Sequence, residues 1–274
     1  MERRIPVVIL RGGGDLASGV ALRLWHVGIK IVITELPQPL VVRRLVAFAS
    51  AVYEGEIVVE GLTAVLMKSV ADALGVLVSN RIPVLVDADC AIRHAAELDV
   101  RAIVDARMRK KPPELGMDAA PLMIGLGPGF VAGENCHAVI ETNRGHFLGR
   151  VIWKGAPQAD TGVPGAVASH SASRVLRAPA EGNLRAVREL GDRVKQGDLI
   201  AEVNDQPILA PFDGILRGLV HEGLPVHIGM KVGDVDPRDD PSYAYLASEK
   251  SLAIGGGVLE ALLSRPEIRN TLWR

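Results

Sequence analysis

Aromatic residues make up only 4% of this 274-residue chain, and cysteine occurs twice. Scarce aromatics argue against a surface on which unpaired bases stack. The 31 basic and 32 acidic side chains nearly cancel to a net charge of −1, so no basic field draws in a polyanion. A nucleic-acid partner is therefore not expected. Cys90 and Cys136 are too few for a disulfide framework or a cysteine-built zinc site, and each reads as a small buried apolar residue. His137 and His146 lie nine positions apart without the further His or Cys spacing of a zinc site, so no metal site is expected. No apolar run approaches the roughly 20 residues that span a bilayer. Residues 1–6 lead straight into an apolar run without the apolar core of a signal peptide. These absences predict a soluble, cytoplasmic protein with no membrane partner.

What is present begins at Pro6. Val7-Val8-Ile9-Leu10 is a continuous apolar run, the pattern of a strand buried on both faces. Arg11-Gly12-Gly13-Gly14-Asp15-Leu16-Ala17-Ser18-Gly19 follows, and Leu16, Val20, Leu22, Leu24 and Val27 then recur at helical spacing. A second apolar strand, residues 29–34, runs into Glu35. Gly12, Gly14 and Ala17 fit the G-x-G-x-x-G/A fingerprint in its required strand–turn–helix context. Without a Cβ, Gly12 can turn tightly and Gly14 lets a pyrophosphate approach the backbone, where the new helix offers unpaired N–H groups. Gly13, Asp15, Leu16 and Gly19 complete the candidate binding loop. Glu35 follows Gly14 by 21 positions, near the spacing of the carboxylate that holds a ribose 2′-OH. Such a carboxylate repels a 2′-phosphate and favours NAD or another plain nucleotide. Asp15 puts a negative charge inside the loop, and Arg11 is placed either to offset it or to meet the ligand. The plainer alternative is a Rossmann-like frame whose glycine loop is only a tight turn.

Further along, the pattern of residues 40–53, with Arg43 and Arg44 on its polar side, predicts a second helix. Residues 56–66 predict two short strands, and residues 69–75 a short helix capped by Ser69. Residues 82–86 and 100–104 predict strands ending near Asp87 and Asp105, with a helix over 91–98 between them. This alternation specifies a mostly parallel α/β sheet, whose ligands bind beyond the strand C-termini. Residues 122–130 predict a strand entering a second glycine-rich turn. Residues 139–146 predict a strand ending in the polar cluster Glu141, Thr142, Asn143, Arg144 and His146. Within it, His146 and Glu141 are the candidates for acid–base chemistry.

From residue 175 to 236 the texture changes to short strands and glycine turns. Ala178-Pro179 with Gly182 is echoed by Ala210-Pro211 with Gly214, and Gly191-Asp192-Arg193-Val194 with Gly197 by Leu224-Pro225-Val226 with Gly229, an internal two-fold repeat. The repeat resembles the barrel sandwich of biotinyl and lipoyl carrier domains. Residues 201–207, where those carriers place their acceptor lysine, contain none. Neither covalent biotin nor covalent lipoate is expected, and a structural or docking role is. The tail holds Gly255-Gly256-Gly257 inside a helical pattern, which implies close packing on another backbone or a break at a ligand, packing being favoured. The expected layout is a Rossmann-like nucleotide-binding domain over 1–120 and a strand-rich connection with the polar cluster over 121–174. A barrel sandwich over 175–240 and a C-terminal helix over 241–274, packing back on the first domain, complete it.

Taken together, several motifs resemble one family. They are Arg11 to Gly19 as R-G-x-G-D-L-A-[ST]-G, Arg43-Arg44 with Val46-Ala47-Phe48, and Gly125-Leu126-Gly127-Pro128-Gly129-Phe130-Val131-Ala132-Gly133. To these are added Ile140 to His146 with Leu148-Gly149-Arg150, Thr161-Gly162-Val163-Pro164-Gly165, Asp234-Val235-Asp236-Pro237-Arg238 and Gly256-Gly257-Val258-Leu259-Glu260-Ala261. The chain is similar, nearly end to end, to the YqeB-type proteins of the selenium-dependent molybdenum hydroxylase maturation system. Departures are small: Ser18 stands where Thr is common, and Ser248-Glu249-Lys250 where Ser-Asp-Lys is common. The resemblance implies an accessory protein that helps a molybdenum hydroxylase client acquire its mature cofactor or labile selenium. It transfers no catalytic residues.

Three functions follow in order. The first is a maturation factor that binds a nucleotide-type small molecule, such as a pterin dinucleotide, at the 12–19 loop, with Glu35 on a ribose and Arg43 or Arg44 offsetting charge. The second is an NAD-dependent oxidoreductase with His146 beside the nicotinamide. The third is a scaffold that docks its client or the maturation machinery through the barrel sandwich, the loop playing no part. Whether the chain is an enzyme is left open by the sequence, as is assembly into a homo-oligomer.

Overall fold

The computed structural model describes residues 4–160 and 174–273, so the Thr161-Gly162-Val163-Pro164-Gly165 motif lies outside the described residues. The chain divides into two compact units. The first comprises Met1–Pro39, Phe48–Asp160 and Ala247–Arg274; the second comprises Leu40–Ala47 and Thr161–Leu246.

The first unit is built on a nine-stranded sheet of β1 (Ile5–Arg11), β2 (Ile31–Glu35), β3 (Glu56–Val59), β4 (Leu62–Met67), β5 (Ile82–Val86), β6 (Leu98–Asp105), β7 (Met123–Leu126), β8 (Ala138–Ile140) and β9 (Val151–Ile152). The order is β3-β4-β5-β2-β1-β6-β7-β8-β9. The β3–β4 and β8–β9 pairs are antiparallel and the remaining pairs parallel. Val7 to Leu10 and Ile31 to Ile33 are fully buried, which is why these strands read as unbroken apolar runs rather than alternating ones. From β1 the chain first builds one side of the sheet, through β2, and then the other, through β6. The switch point therefore lies between β1 and β6, where ligands of open α/β sheets bind.

The helices of this unit are α1 (Asp15–His26), α2 (Ala51–Glu54), α3 (Val70–Val78), α4 (Glu249–Leu263) and α5 (Pro266–Arg269). The Ser69 hydroxyl caps α3 by accepting from Asp72 N at 3.2 Å. The glycines of α4 serve packing. A Cβ on Gly255 would stand 2.5 Å from Gly19 O on α1, and one on Gly257 would stand 2.1 Å from Gly149 O. No helix among the described residues is long and apolar enough to cross a membrane.

Two sequence expectations need correction. Residues 40–53 are not a helix: two single 3-10 turns, Arg44–Val46 and Phe48–Ser50, precede the short α2. Val42 instead pairs along the second unit, accepting from Leu219 N at 2.8 Å, so a distant strand outweighs local periodicity. The helix over 91–98 shrinks to one 3-10 turn, Ala91–His94, because β6 already begins at Leu98.

His137 explains itself structurally. Its Nδ1 accepts from Met123 N at 2.9 Å, joining the start of β8 to β7. Burial, and then the charge of Arg265, push its pKa below the usual 6.5. The folded state therefore favours the neutral ring that can accept this bond. The contribution is complete above pH 6.5 and is lost as pH falls through the folded value. Urea unfolding between pH 7.5 and pH 5 should show a loss of stability that His137→Asn, which keeps an acceptor, reduces. An unchanged pH slope in the variant would assign the loss elsewhere.

The second unit holds β10 (Val175–Arg177), β11 (Gly182–Ala186), β12 (Arg193–Val194), β13 (Leu199–Val203), β14 (Gln206–Leu209), β15 (Gly214–Leu219), β16 (Pro225–Val226) and β17 (Lys231–Asp236). They form two four-stranded antiparallel sheets, β10-β17-β15-β12 and β14-β13-β11-β16. The sequence repeat exchanges these sheets: β10 corresponds to β14, β11 to β15, β12 to β16 and β13 to β17. The β13–β14 hairpin turns at Asn204-Asp205, both left-handed (φ +52° and +58°), the two-residue geometry that Asn and Asp tolerate. The other sheet, β10-β17-β15-β12, carries a buried ion network. Arg174 and Arg217 pair with Asp234, and Arg217 and Arg238 with Asp236. Burial alone would raise Asp236, but the bond from Arg238 and the nearby charge of Arg217 outweigh it and hold its carboxyl below the usual range.

Candidate functional site

The glycine turn sits at the C-terminal end of β1. Gly12 N donates to Thr34 O at 2.7 Å, extending the ladder with β2, and its φ of +93° is a left-handed conformation that glycine adopts without strain. A Cβ there would also come within 3.1 Å of Arg107 Cγ. Gly13 is fixed on both sides. Its N–H donates to Glu35 Oε1 at 2.7 Å, and its carbonyl accepts from Ala49 N at 2.8 Å and the Ser18 hydroxyl at 3.3 Å. The same Ser18 oxygen accepts from Phe48 N at 2.9 Å. Gly14 begins α1 with φ −67° and ψ −178°, values open to any residue. Asp15 lies in the first turn of α1, where the helix dipole favours a carboxylate. Leu16 is half-buried and Ala17 fully buried in the helix that follows. Gly19 faces α4, where a Cβ would stand 2.4 Å from the Ser251 carbonyl carbon.

Glu35 ends β2 buried, with Oε1 on Gly13 N and Oε2 accepting from Leu36 N at 2.8 Å. Burial raises its pKa; the two N–H groups and the charge of Arg107 work in the opposite direction. Each oxygen retains a second lone pair, so the carboxylate is oriented without being saturated.

The neighbouring end of β6 supplies charge. Asp105 is buried, accepting from Arg11 Nη1 at 3.2 Å, Arg107 Nε at 2.9 Å and Arg107 Nη2 at 2.5 Å. Glu114 reaches the same guanidiniums: Arg107 at 2.6 Å, Arg11 at 3.5 Å, and Arg109 as well. Arg11 also donates to Ala88 O at 3.1 Å, while its buried Nε has no hydrogen-bond partner among the described residues. Burial and the adjacent Arg107 lower the Arg11 pKa.

The loop carrying these groups is strained. Met108 (φ +56°) and Lys110 (φ +60°) are left-handed without being glycine, as is Cys90 (φ +58°) beyond β5. Such residues cost about 1–3 kcal/mol each and persist where the surroundings over-determine them. The second glycine-rich turn is shaped to this loop. A Cβ on Gly127 would meet Thr142 Oγ1 at 2.4 Å and Met108 Cε at 3.2 Å, and one on Gly129 would meet Lys111 O at 2.7 Å.

Other candidates fall elsewhere. Asp87 caps the turn at Ala91, accepting from Ala91 N at 2.8 Å and Ile92 N at 2.9 Å, the plainer of its two roles. Glu141 is buried and clamps two loops, accepting from Asn143 N and Gln158 N, each at 2.7 Å. His146 is exposed, its ring edge-on to Phe147 at 5.7 Å. Arg43 and Arg44 belong to the second unit. There Arg43 donates to Tyr243 O at 2.9 Å and Leu246 O at 2.8 Å, and Arg44 to Leu219 O at 2.8 Å. Burial pushes both the Cys90 and Cys136 thiols up to about 11, so both stay protonated at neutral pH. Among the described residues no group of three or more His, Cys, Asp or Glu is placed to hold a metal ion.

Sequence reasoning missed Ser18 as the brace of the turn and Glu114 as a member of the charged cluster. One signal was available. Asp105-Ala106-Arg107 and Asp236-Pro237-Arg238 share the spacing Asp-x-Arg, and in both the Asp accepts the Arg backbone N–H and two of its guanidinium nitrogens.

Fold and site define a mixed α/β protein with a glycine turn and an arginine–carboxylate cluster at the switch point of a mostly parallel sheet, joined to a second unit of two antiparallel sheets. Over 257 residues, 94% of the chain, it is 50% identical to "Uncharacterized protein YqeB" of Escherichia coli (strain K12). The chain belongs to the YqeB family, and it spans about half, 47%, of that relative's length. No protein-family model matches the chain. Among solved structures, an aspartoacylase family protein from Mesorhizobium loti aligns over 85% of each chain at 10% identity and a TM-score of 0.27. A succinylglutamate desuccinylase/aspartoacylase from Rhodobacter sphaeroides aligns over 26% of this chain and 24% of its own at 25% identity and a TM-score of 0.22. At these scores neither carries an argument about this fold or its activity.

Proposed function

We propose that this chain is an accessory factor in the maturation of a molybdenum hydroxylase, of the selenium-dependent kind, and that it binds a ribose-bearing nucleotide ligand at the β1–β6 switch point. The observation that carries the binding is Glu35. Two backbone N–H groups hold its carboxylate beside the glycine turn, and one lone pair stays open on each oxygen, as a vicinal diol requires. The N-terminus of α1 and Arg107 lie next to it for the phosphates. A pterin dinucleotide has both the ribose and the pyrophosphate that this arrangement suits, and it would be cargo here rather than a resident cofactor. The second unit fits a lysine-free barrel sandwich that docks the client: its sheets exchange under the repeat, and its hairpin tip is Asn204-Asp205.

Mass spectrometry of small molecules released from the purified protein, beside a thermal-shift series of NAD, NADP, ATP, CTP and CDP, tests the reading. A released pterin dinucleotide or a cytidine-selective shift supports it. Selective NAD binding would replace it with the oxidoreductase, and no binding would leave the scaffold. Gly14→Asp sharpens the result. The backbone at Gly14 is open to Asp, itself a good helix cap, so folding should be unchanged. The new carboxylate should weaken nucleotide binding by about 10–100-fold, or about 1.4–2.8 kcal/mol. Unchanged affinity in the folded variant would remove the turn from the site.

A further inference from the structure

The Glu114 carboxylate stands where three guanidiniums converge. Arg107 reaches it at 2.6 Å, Arg11 at 3.5 Å, and Arg109 pairs with it too. Asp105 lies beneath and is 2% exposed, whereas the Glu114 side chain is 48% exposed. The two carboxylates therefore differ in kind. Asp105 is sealed in and belongs to the fold; Glu114 is a half-exposed ion-pair partner, of the sort that contributes little to stability and exchanges readily with another anion. Without Glu114, the three arginines against Asp105 alone leave an excess of two positive charges. Glu114 neutralises half of that excess, and a pyrophosphoryl group, with a negative charge on each phosphorus, would neutralise all of it, accepting the forked guanidinium donors with its several oxygens. A buried donor at the cluster, Arg11 Nε, is also unmet. Arg107 Cγ stands against the space a Cβ of Gly12 would fill, so this cluster flanks the glycine turn itself.

We propose that Arg11, Arg107 and Arg109 form a seat for the pyrophosphoryl group of the ligand, and that Glu114 is a built-in competitor which occupies the seat until that group displaces it. The inference rests on the nucleotide-binding reading for its biological ligand but not for its chemistry. The seat selects pyrophosphoryl groups, whose two phosphorus centres together carry at least two charges, over singly charged carboxylates, because only the former clear the internal competitor at a net gain.

Calorimetric titration of the full chain with inorganic pyrophosphate tests the seat directly. Glu114→Gln should bind pyrophosphate at least about tenfold more tightly than the unaltered chain, and adding Arg109→Gln should cancel most of that gain. Glu97→Gln removes one exposed charge just before β6, at the opposite end of the strand, and should change nothing. Equal or weaker binding by Glu114→Gln, an equal gain from Glu97→Gln, or no pyrophosphate binding by any variant would overturn the proposal. The two readings fail separately. If Glu114→Gln gains pyrophosphate affinity but no nucleotide binds any variant, the seat stands and the nucleotide reading falls. If nucleotides bind the unaltered chain and Glu114→Gln alike, the nucleotide reading stands and the competitor role falls.

Discussion

Asp105→Ala should destabilise the first unit by about 3–5 kcal/mol, the cost of leaving a buried charge without its partner. Asp105 is the sealed carboxylate between Arg11, itself buried, and Arg107. Removing it leaves two guanidiniums at one site with only the half-exposed Glu114 to neutralise them. For a unit of this size the unfolding midpoint should fall by roughly 6–20 °C in a thermal scan. Arg11→Met added to Asp105→Ala should recover a large part of the loss, because an apolar side chain of similar length does not require the missing carboxylate. A loss below about 1 kcal/mol for Asp105→Ala would mean that water reaches the cluster and that it behaves as a surface ion pair. The pair of variants also separates stability from binding, since Glu114 variants should move affinity with little effect on the midpoint.

The second large effect is a sign pattern along three consecutive residues of α4. Gly255→Ala and Gly257→Ala should each destabilise by about 1–3 kcal/mol or more, because the new methyl meets backbone that cannot turn aside. The obstructing atoms are Gly19 O at 2.5 Å and Gly149 O at 2.1 Å. Between them, a Cβ on Gly256 would meet nothing within 4 Å. Gly256→Ala should therefore stabilise by about 0.5–1 kcal/mol through helix propensity and a less flexible unfolded chain. Urea unfolding of the three single variants reads the pattern. Three similar values, of either sign, would show that α4 does not pack on α1 and on the segment at Gly149 as described.

Legibility in the sequence followed the range of the interactions. The β1–α1–β2 unit could be read because each element is specified by its own residues: unbroken apolar runs for strands buried on both faces, and a glycine whose positive φ the turn demands. The repeat in the second unit was equally visible, since Ala178-Pro179 and Ala210-Pro211 mark equivalent strand ends in the two sheets. The stretch 40–53 misled because its spacing of Val41, Val42, Leu45 and Val46 is helical, while the partner that decides its conformation is Leu219, far along the chain. Family membership was legible for a similar reason, as it rests on short motifs that survive out of their spatial context.

By itself the sequence determined the mostly parallel α/β sheet, the place of the glycine turn, Glu35 at the end of β2, Asp105 at the end of β6, and the doubled small strands that follow. Each depends on local spacing, on backbone freedom at single glycines, or on a strand's own burial. Only the tertiary structure decided what those groups do. It put the Glu35 carboxylate on Gly13 N–H and gathered Arg11, Arg107 and Arg109 around Glu114. It also assigned the tail glycines to packing and placed Arg43 and Arg44 in the second unit. The physical reason is that charge pairing and close backbone contact join residues distant in sequence. Their strength depends on burial and on distances of a few tenths of an ångström, and neither is written in the order of the residues.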